Sequence, residues 1–131
     1  MVNLKEKTLE IAAVVRDSKP SLALLEMLAR DENSLVRKAV AQNRTATVEM
    51  LEALAKDENW SVRLSVAKNL ETSRDLLSQL AEDEHASVRE GVAMNLNTAP
   101  AILEELASDP NQNVRKAAQE SLQIRRRLAR K

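Results

Sequence analysis

Leu54-Ala55-Lys56-Asp57-Glu58-Asn59-Trp60-Ser61-Val62-Arg63-Leu64-Ser65-Val66-Ala67-Lys68-Asn69 decides the fold, because its frame recurs four times at a spacing of 26 residues. Leu28-Ala29-Arg30-Asp31, Leu80-Ala81-Glu82-Asp83 and Leu106-Ala107-Ser108-Asp109 are the other openings. Val36-Arg37, Val88-Arg89 and Val114-Arg115 follow them at the interval that separates Leu54 from Val62-Arg63. A fixed period of this length is the mark of a solenoid, a stack of one small supersecondary unit on copies of itself.

Each unit carries two apolar stripes. In the second, Met50, Leu51, Leu54 and Ala55 form one face of a short helix A. Val62, Ser65, Val66 and Asn69 form one face of a helix B, with Asn59 as its N-cap and Asn33, His85 and Asn111 as the equivalent caps. Thr47, Thr72 and Thr98, or their neighbours, are placed to cap the A helices. Asn43, Asn69 and Asn95 close the B helices, where asparagine is the residue after glycine most suited to the left-handed conformation. Helices of about ten residues are marginal alone, so cohesion has to come from stacking. Small residues at Ala39, Ser65, Gly91 and Ala117 let successive B helices approach closely.

The fold class predicted is therefore all-α, a solenoid of short helix pairs. The units run 20–45, 46–71, 72–97 and 98–123, after an N-terminal half unit 1–19 and before a basic capping end 124–131. In the half unit, Ala13 and Val14 fall in register with Ala39 and Val40.

Composition excludes several classes of function. Twenty basic residues balance twenty acidic ones, there is no cysteine, and Gly91 and Trp60 are the only glycine and the only aromatic residue. Thiolate metal sites, disulfides, Gly-rich phosphate loops and aromatic stacking platforms are all ruled out. No apolar run approaches the length of a membrane span, and a soluble cytoplasmic protein is the expectation. His85 has no companion for general-base or metal chemistry. No catalytic residue, metal or cofactor is predicted.

Asp31, Asp57, Asp83 and Asp109 precede Arg37, Arg63, Arg89 and Arg115 by six residues each. Acid in the inter-helix turn and guanidinium on helix B can meet within and between units, so a structural ladder is expected.

Leu-Ala-x-Asp, four variable residues, Val-Arg-x-x-Val-Ala-x-Asn, then Thr and a Leu pair resembles the leucine-rich repeat variant, a bacterial relative of HEAT and armadillo repeats. The resemblance runs from about Pro20 to Gln123, with three consecutive units complete. It implies a right-handed superhelix without strands, in which one helix of each pair can tighten to 3-10, and it brings no catalytic residues. The family's frequent Pro after the Asn is replaced by Arg44, Leu70 and Leu96, from which a less rigid and more buried turn is expected. The iron–sulfur cluster of one member has no cysteine here to hold it.

In HEAT-like stacks helix B lines the concave face that holds partners. Its outward rows read Ser34, Trp60, Ala86, Gln112, then Lys38, Leu64, Glu90, Lys116, then Gln42, Lys68, Met94, Glu120. Trp60, Leu64 and Met94 are the candidate contacts of a non-enzymatic module that binds another protein or peptide. A purely structural Trp60 would instead cover the turn between the second and third units. The alternative function is weak nucleic-acid binding through Arg125, Arg126, Arg127, Arg130 and Lys131, since the remaining 124 residues carry a net charge of −5. Complementarity of these cations to the C-terminal helix dipole accounts for the same residues.

Overall fold

A computed structural model describes residues 4–130. They form a half unit, α1 (Leu4–Asp17), and four helix pairs: α2 (Leu22–Leu28) with α3 (Ser34–Gln42), α4 (Val48–Leu54) with α5 (Trp60–Lys68), α6 (Arg74–Leu80) with α7 (Ala86–Met94), and α8 (Pro100–Leu106) with α9 (Gln112–Ala129). Among the described residues there is no strand. Both helices of every pair are α-helical, and bonds of the tighter three-residue kind occur at their ends, as where the Asp57 amide donates to the Leu54 carbonyl and the Asn69 amide to that of Val66.

Caps set the helix starts. Asn33, Asn59, His85 and Asn111 each accept the amide two residues on, which fixes the first turn of α3, α5, α7 and α9. Ser21, Thr47 and Ser73 accept the amide three residues on and so cap α2, α4 and α6, while α8 has no side-chain cap and starts on Pro100. Thr72 and Thr98 are not caps. They are buried, and their hydroxyls donate over 2.6 Å to the carbonyls of Val66 and Val92 at the end of the preceding B helix.

The B helices form a continuous stack, α1 on α3, α3 on α5, α5 on α7 and α7 on α9, with the A helices laid against them. Leu25, Leu51, Leu77 and Leu103 are all buried between the layers, as are Val36, Val62, Val88 and Val114 beneath them. Each such side chain contributes about 1.5–3 kcal/mol. Val40, Val66 and Val92 are fully buried, but Val14, their counterpart in the half unit, is 65% exposed. The backbone register matches, since Val15 stands where Ala41 does and is likewise buried. What differs is that no helix A precedes α1 among the described residues to cover Val14.

The asparagines at the ends of the B helices do not take the left-handed conformation: Asn43, Asn69 and Asn95 have φ between −80° and −73°. They tie units together instead. Asn69 Nδ2 donates to the carbonyls of Ala41 (2.8 Å) and Asn43 (3.2 Å), and Asn95 Nδ2 to those of Ala67 (2.7 Å) and Asn69 (3.0 Å). Asn43 reaches Val15 and Ser18 in the same way. Each Oδ1 meanwhile accepts the amide two residues ahead, at Thr45, Glu71 and Asn97, and so shapes its own turn.

A second inter-unit tie comes from the arginines. Arg37 Nε and Nη2 donate to both carboxylate oxygens of Asp57, at 2.7 and 3.1 Å. Arg63 does the same to Asp83, and Arg89 to Asp109, at 2.8 and 3.1 Å. The remaining nitrogen, Nη1, donates to carbonyls of the arginine's own turn, for Arg63 those of Asp57 and Glu58. The carboxylate is thus always the next unit's, and the aspartate six residues back offers only its backbone. Among the described residues the Asp31 carboxylate accepts the Asn33 amide but no guanidinium, Arg37 reaching only the Asp31 carbonyl, and Arg115 donates to the Asp109 and Pro110 carbonyls with no carboxylate partner.

Burial alone would push the Asp57 and Asp109 carboxyls up. The arginine hydrogen bonds, the amides of Asn59 and Asn111 and the nearby guanidinium charges outweigh it and hold both below the ordinary carboxylate value. The hydrogen bonds to the aspartates raise Arg37, Arg63 and Arg89 in turn, against the opposing effect of burial.

Candidate functional site

The outward face of the B helices is furrowed between neighbours, and the three sequence-predicted contacts meet in one furrow. Trp60 opens α5, Leu64 lies one turn further on, and Met94 ends α7. Together with Lys68, Glu90 and Gly91 they line a groove of about 220 Å³ between the two helices. Trp60 is 42% and Met94 57% exposed, while Leu64 is half-buried against the core. Trp60 stacks on His85, with ring centroids 4.2 Å apart and planes 11° from parallel. The indole therefore does two things: it covers the N-cap of α7 in the next unit, and it leaves much of its surface open to the groove.

Gly91 forms part of this groove and also lets Leu64 lie in it. An added Cβ would meet Leu64 Cδ1 at 2.7 Å and Ala67 Cβ at 3.2 Å. His85 accepts the Ser87 amide at Nδ1 (3.2 Å), so one ring nitrogen is engaged in capping. No cluster of His, Asp or Glu among the described residues is arranged to hold a metal ion.

Similar furrows flank this one. Lys38, Gln42, Leu64 and Lys68 border a groove of about 200 Å³ between α3 and α5. Glu90, Met94, Lys116, Glu120 and Ile124 border one of about 440 Å³ between α7 and α9. Leu64 and Lys68 are shared by the first two grooves, and Glu90 and Met94 by the last two. Ile124, 53% exposed, lies beyond the last repeat and outside the 26-residue frame, and so is not among the contacts that the outward rows predict.

The basic end is divided in its roles. Arg125 donates to the carbonyls of Thr98 (2.6 Å), Leu96 (2.9 Å) and Asn95 (3.3 Å), and Ser121 donates to that of Ala93 (2.6 Å). The two side chains stand in for the asparagine that the fourth unit lacks. Burial and the charge of Arg74 lower the Arg125 guanidinium from its ordinary value. Arg125 is therefore engaged in the fold and is not a free phosphate contact. Arg126, Arg127 and Arg130 are exposed, and Lys131 lies outside the described residues.

The turns at Arg44, Leu70 and Leu96 are not the more buried ones expected: Arg44 is exposed, and Leu70 and Leu96 are 47% and 74% exposed. Asn69 and Asn95 turn the polar groups of these loops inward, and it is Thr72 and Thr98, two residues later, that point into the core. Among the described residues no helix is long and apolar enough to cross a membrane.

No curated protein sequence matches the chain. The profile of HEAT repeats matches residues 47–123, more than half of the chain's length, a stretch that includes the groove around Trp60. HEAT repeats commonly act as scaffolds for protein interaction. On its helix pairs, its stacked B helices and this match, the chain belongs to the HEAT-repeat family.

Proposed function

We propose that this protein is a non-enzymatic interaction module that holds a protein or peptide partner on its B-helix face. The observation that carries the reading is the meeting of Trp60, Leu64 and Met94 in one groove, with the tryptophan and methionine largely exposed. Aromatic and methionine side chains in such a position are the usual anchors of protein interfaces. The loss of Arg125 to the fold takes one cation from the five that a nucleic-acid reading needs. Within the HEAT repeats we place the chain with the leucine-rich repeat variant, supported by three complete signatures between Leu28 and Asn95.

The test compares the wild type with a Trp60→Ala, Leu64→Ala, Met94→Ala variant in pull-down from cell extract, with circular dichroism to establish that the variant is folded. Partners retained by the wild type are expected to be lost from the folded variant. Identical capture by the two proteins would refute the groove as the binding face.

A further inference from the structure

The charges along the three grooves are sorted. Lys38 and Lys68 flank the groove between α3 and α5, which Leu64 also lines. Glu90 and Glu120 flank the groove between α7 and α9, where Lys116 is the one opposing cation. The apolar surfaces of Trp60, Leu64 and Met94 lie in the middle groove, whose walls also carry one charge of each sign, Lys68 and Glu90, and the grooves run into one another through these shared walls. A face of this kind is basic at one end, apolar at the centre and acidic on balance at the other, although the chain as a whole is neutral.

Resting on the reading that the B-helix face binds protein, we infer that the three grooves form one track for a single extended peptide segment of a partner. The segment has an acidic side chain at Lys38 and Lys68, apolar side chains against Trp60, Leu64 and Met94, and a basic side chain at Glu90 and Glu120. Adjacent packed helices lie about 9 Å apart, so the outer grooves are separated by about 18 Å. An extended chain covers that distance in about six residues at about 3.3 Å each. The acidic and basic residues of the partner segment are therefore about six positions apart. Charge pairs at the two ends set its direction and reject segments of a single sign, and the apolar centre holds it.

Selection of a random peptide library displayed on phage against the whole chain tests this. Enriched peptides should carry opposite charges about six residues apart with apolar residues between. A synthetic peptide of that pattern should bind, by fluorescence anisotropy, about tenfold more weakly to Lys38→Glu/Lys68→Glu and to Glu90→Lys/Glu120→Lys. The variant with all four exchanges should recover the affinity, because the peptide can turn round. The inference is overturned if nothing is enriched, if enriched peptides lack the charge pattern, or if the four-fold exchange binds no better than either pair. It is equally overturned if light scattering finds a dimer abolished by Trp60→Ala, since the track would then belong to a second copy. The pull-down with the alanine variant can still succeed in each of these cases, so failure of the track is distinguishable from failure of the B-helix face as a protein-binding surface.

Discussion

At Gly91 the missing side chain answers a large one in the preceding unit. The positions equivalent to Gly91 are Ala39, Ser65 and Ala117, and the residues in the place of Leu64 ahead of them are Ala12, Lys38 and Glu90, none branched at Cγ. Only where leucine precedes is glycine found, and a Cβ there would stand 2.7 Å from that leucine. Gly91→Ala gains about 1 kcal/mol of helix propensity. Overpacking costs about 1–3 kcal/mol, and Ala67, fully buried at 3.2 Å, has little room to move. The expected net effect is a loss of about 1 kcal/mol. In a Leu64→Ala background the same change should become stabilising, and a double-mutant cycle from urea unfolding measures the coupling. Additive effects would show that the two residues do not share the space.

Among the elements, the ends of the B helices carry the most consequential bonds. Asn69 serves both units at once, its amide holding the end of α3 and its oxygen shaping the turn to α6. Asn69→Ala leaves buried carbonyls and an amide without these partners, and a loss of about 2–4 kcal/mol is expected, read from the urea midpoint. Ser121→Ala should cost about 1 kcal/mol, because the hydroxyl serves only the Ala93 carbonyl and Arg125 holds the neighbouring ones. Equal losses at the two sites would contradict this division. The exposure of Val14 belongs to the same scale: a valine that is fully buried in three units lies open on α1, before which the described residues include no helix A.

Across the whole molecule the arginine ladder links each unit to the next and makes stability depend on pH. The Asp57 and Asp109 carboxyls lie below their ordinary value in the folded chain. Their contribution is complete above the unfolded value of about 4 and is lost as pH falls through the folded values. Thermal melts from neutral to strongly acid pH should show the melting temperature falling in that window. Arg37→Gln should flatten the fall by removing the bond that holds Asp57 down. Arg115 forms no such pair among the described residues and holds Asp109 down only through its charge, so Arg115→Gln should flatten the acid slope less than Arg37→Gln does. A slope unaffected by Arg37→Gln would place the pH dependence elsewhere.

The 26-residue period, the caps at Asn33, Asn59, His85 and Asn111 and the rows of outward residues were legible in the chain, because each follows from local propensity repeated at a fixed interval. That Trp60, Leu64 and Met94 belong to one face followed from the same periodicity. Tertiary structure alone decided that Arg37 takes the carboxylate of Asp57 and only the carbonyl of Asp31, that Asn69 bonds the preceding unit, and that Arg125 completes the last one. The physical reason is common to all three. A repeat states which groups each unit offers, whereas the partner each group meets depends on the rotation and spacing between units, which the close packing of successive B helices sets.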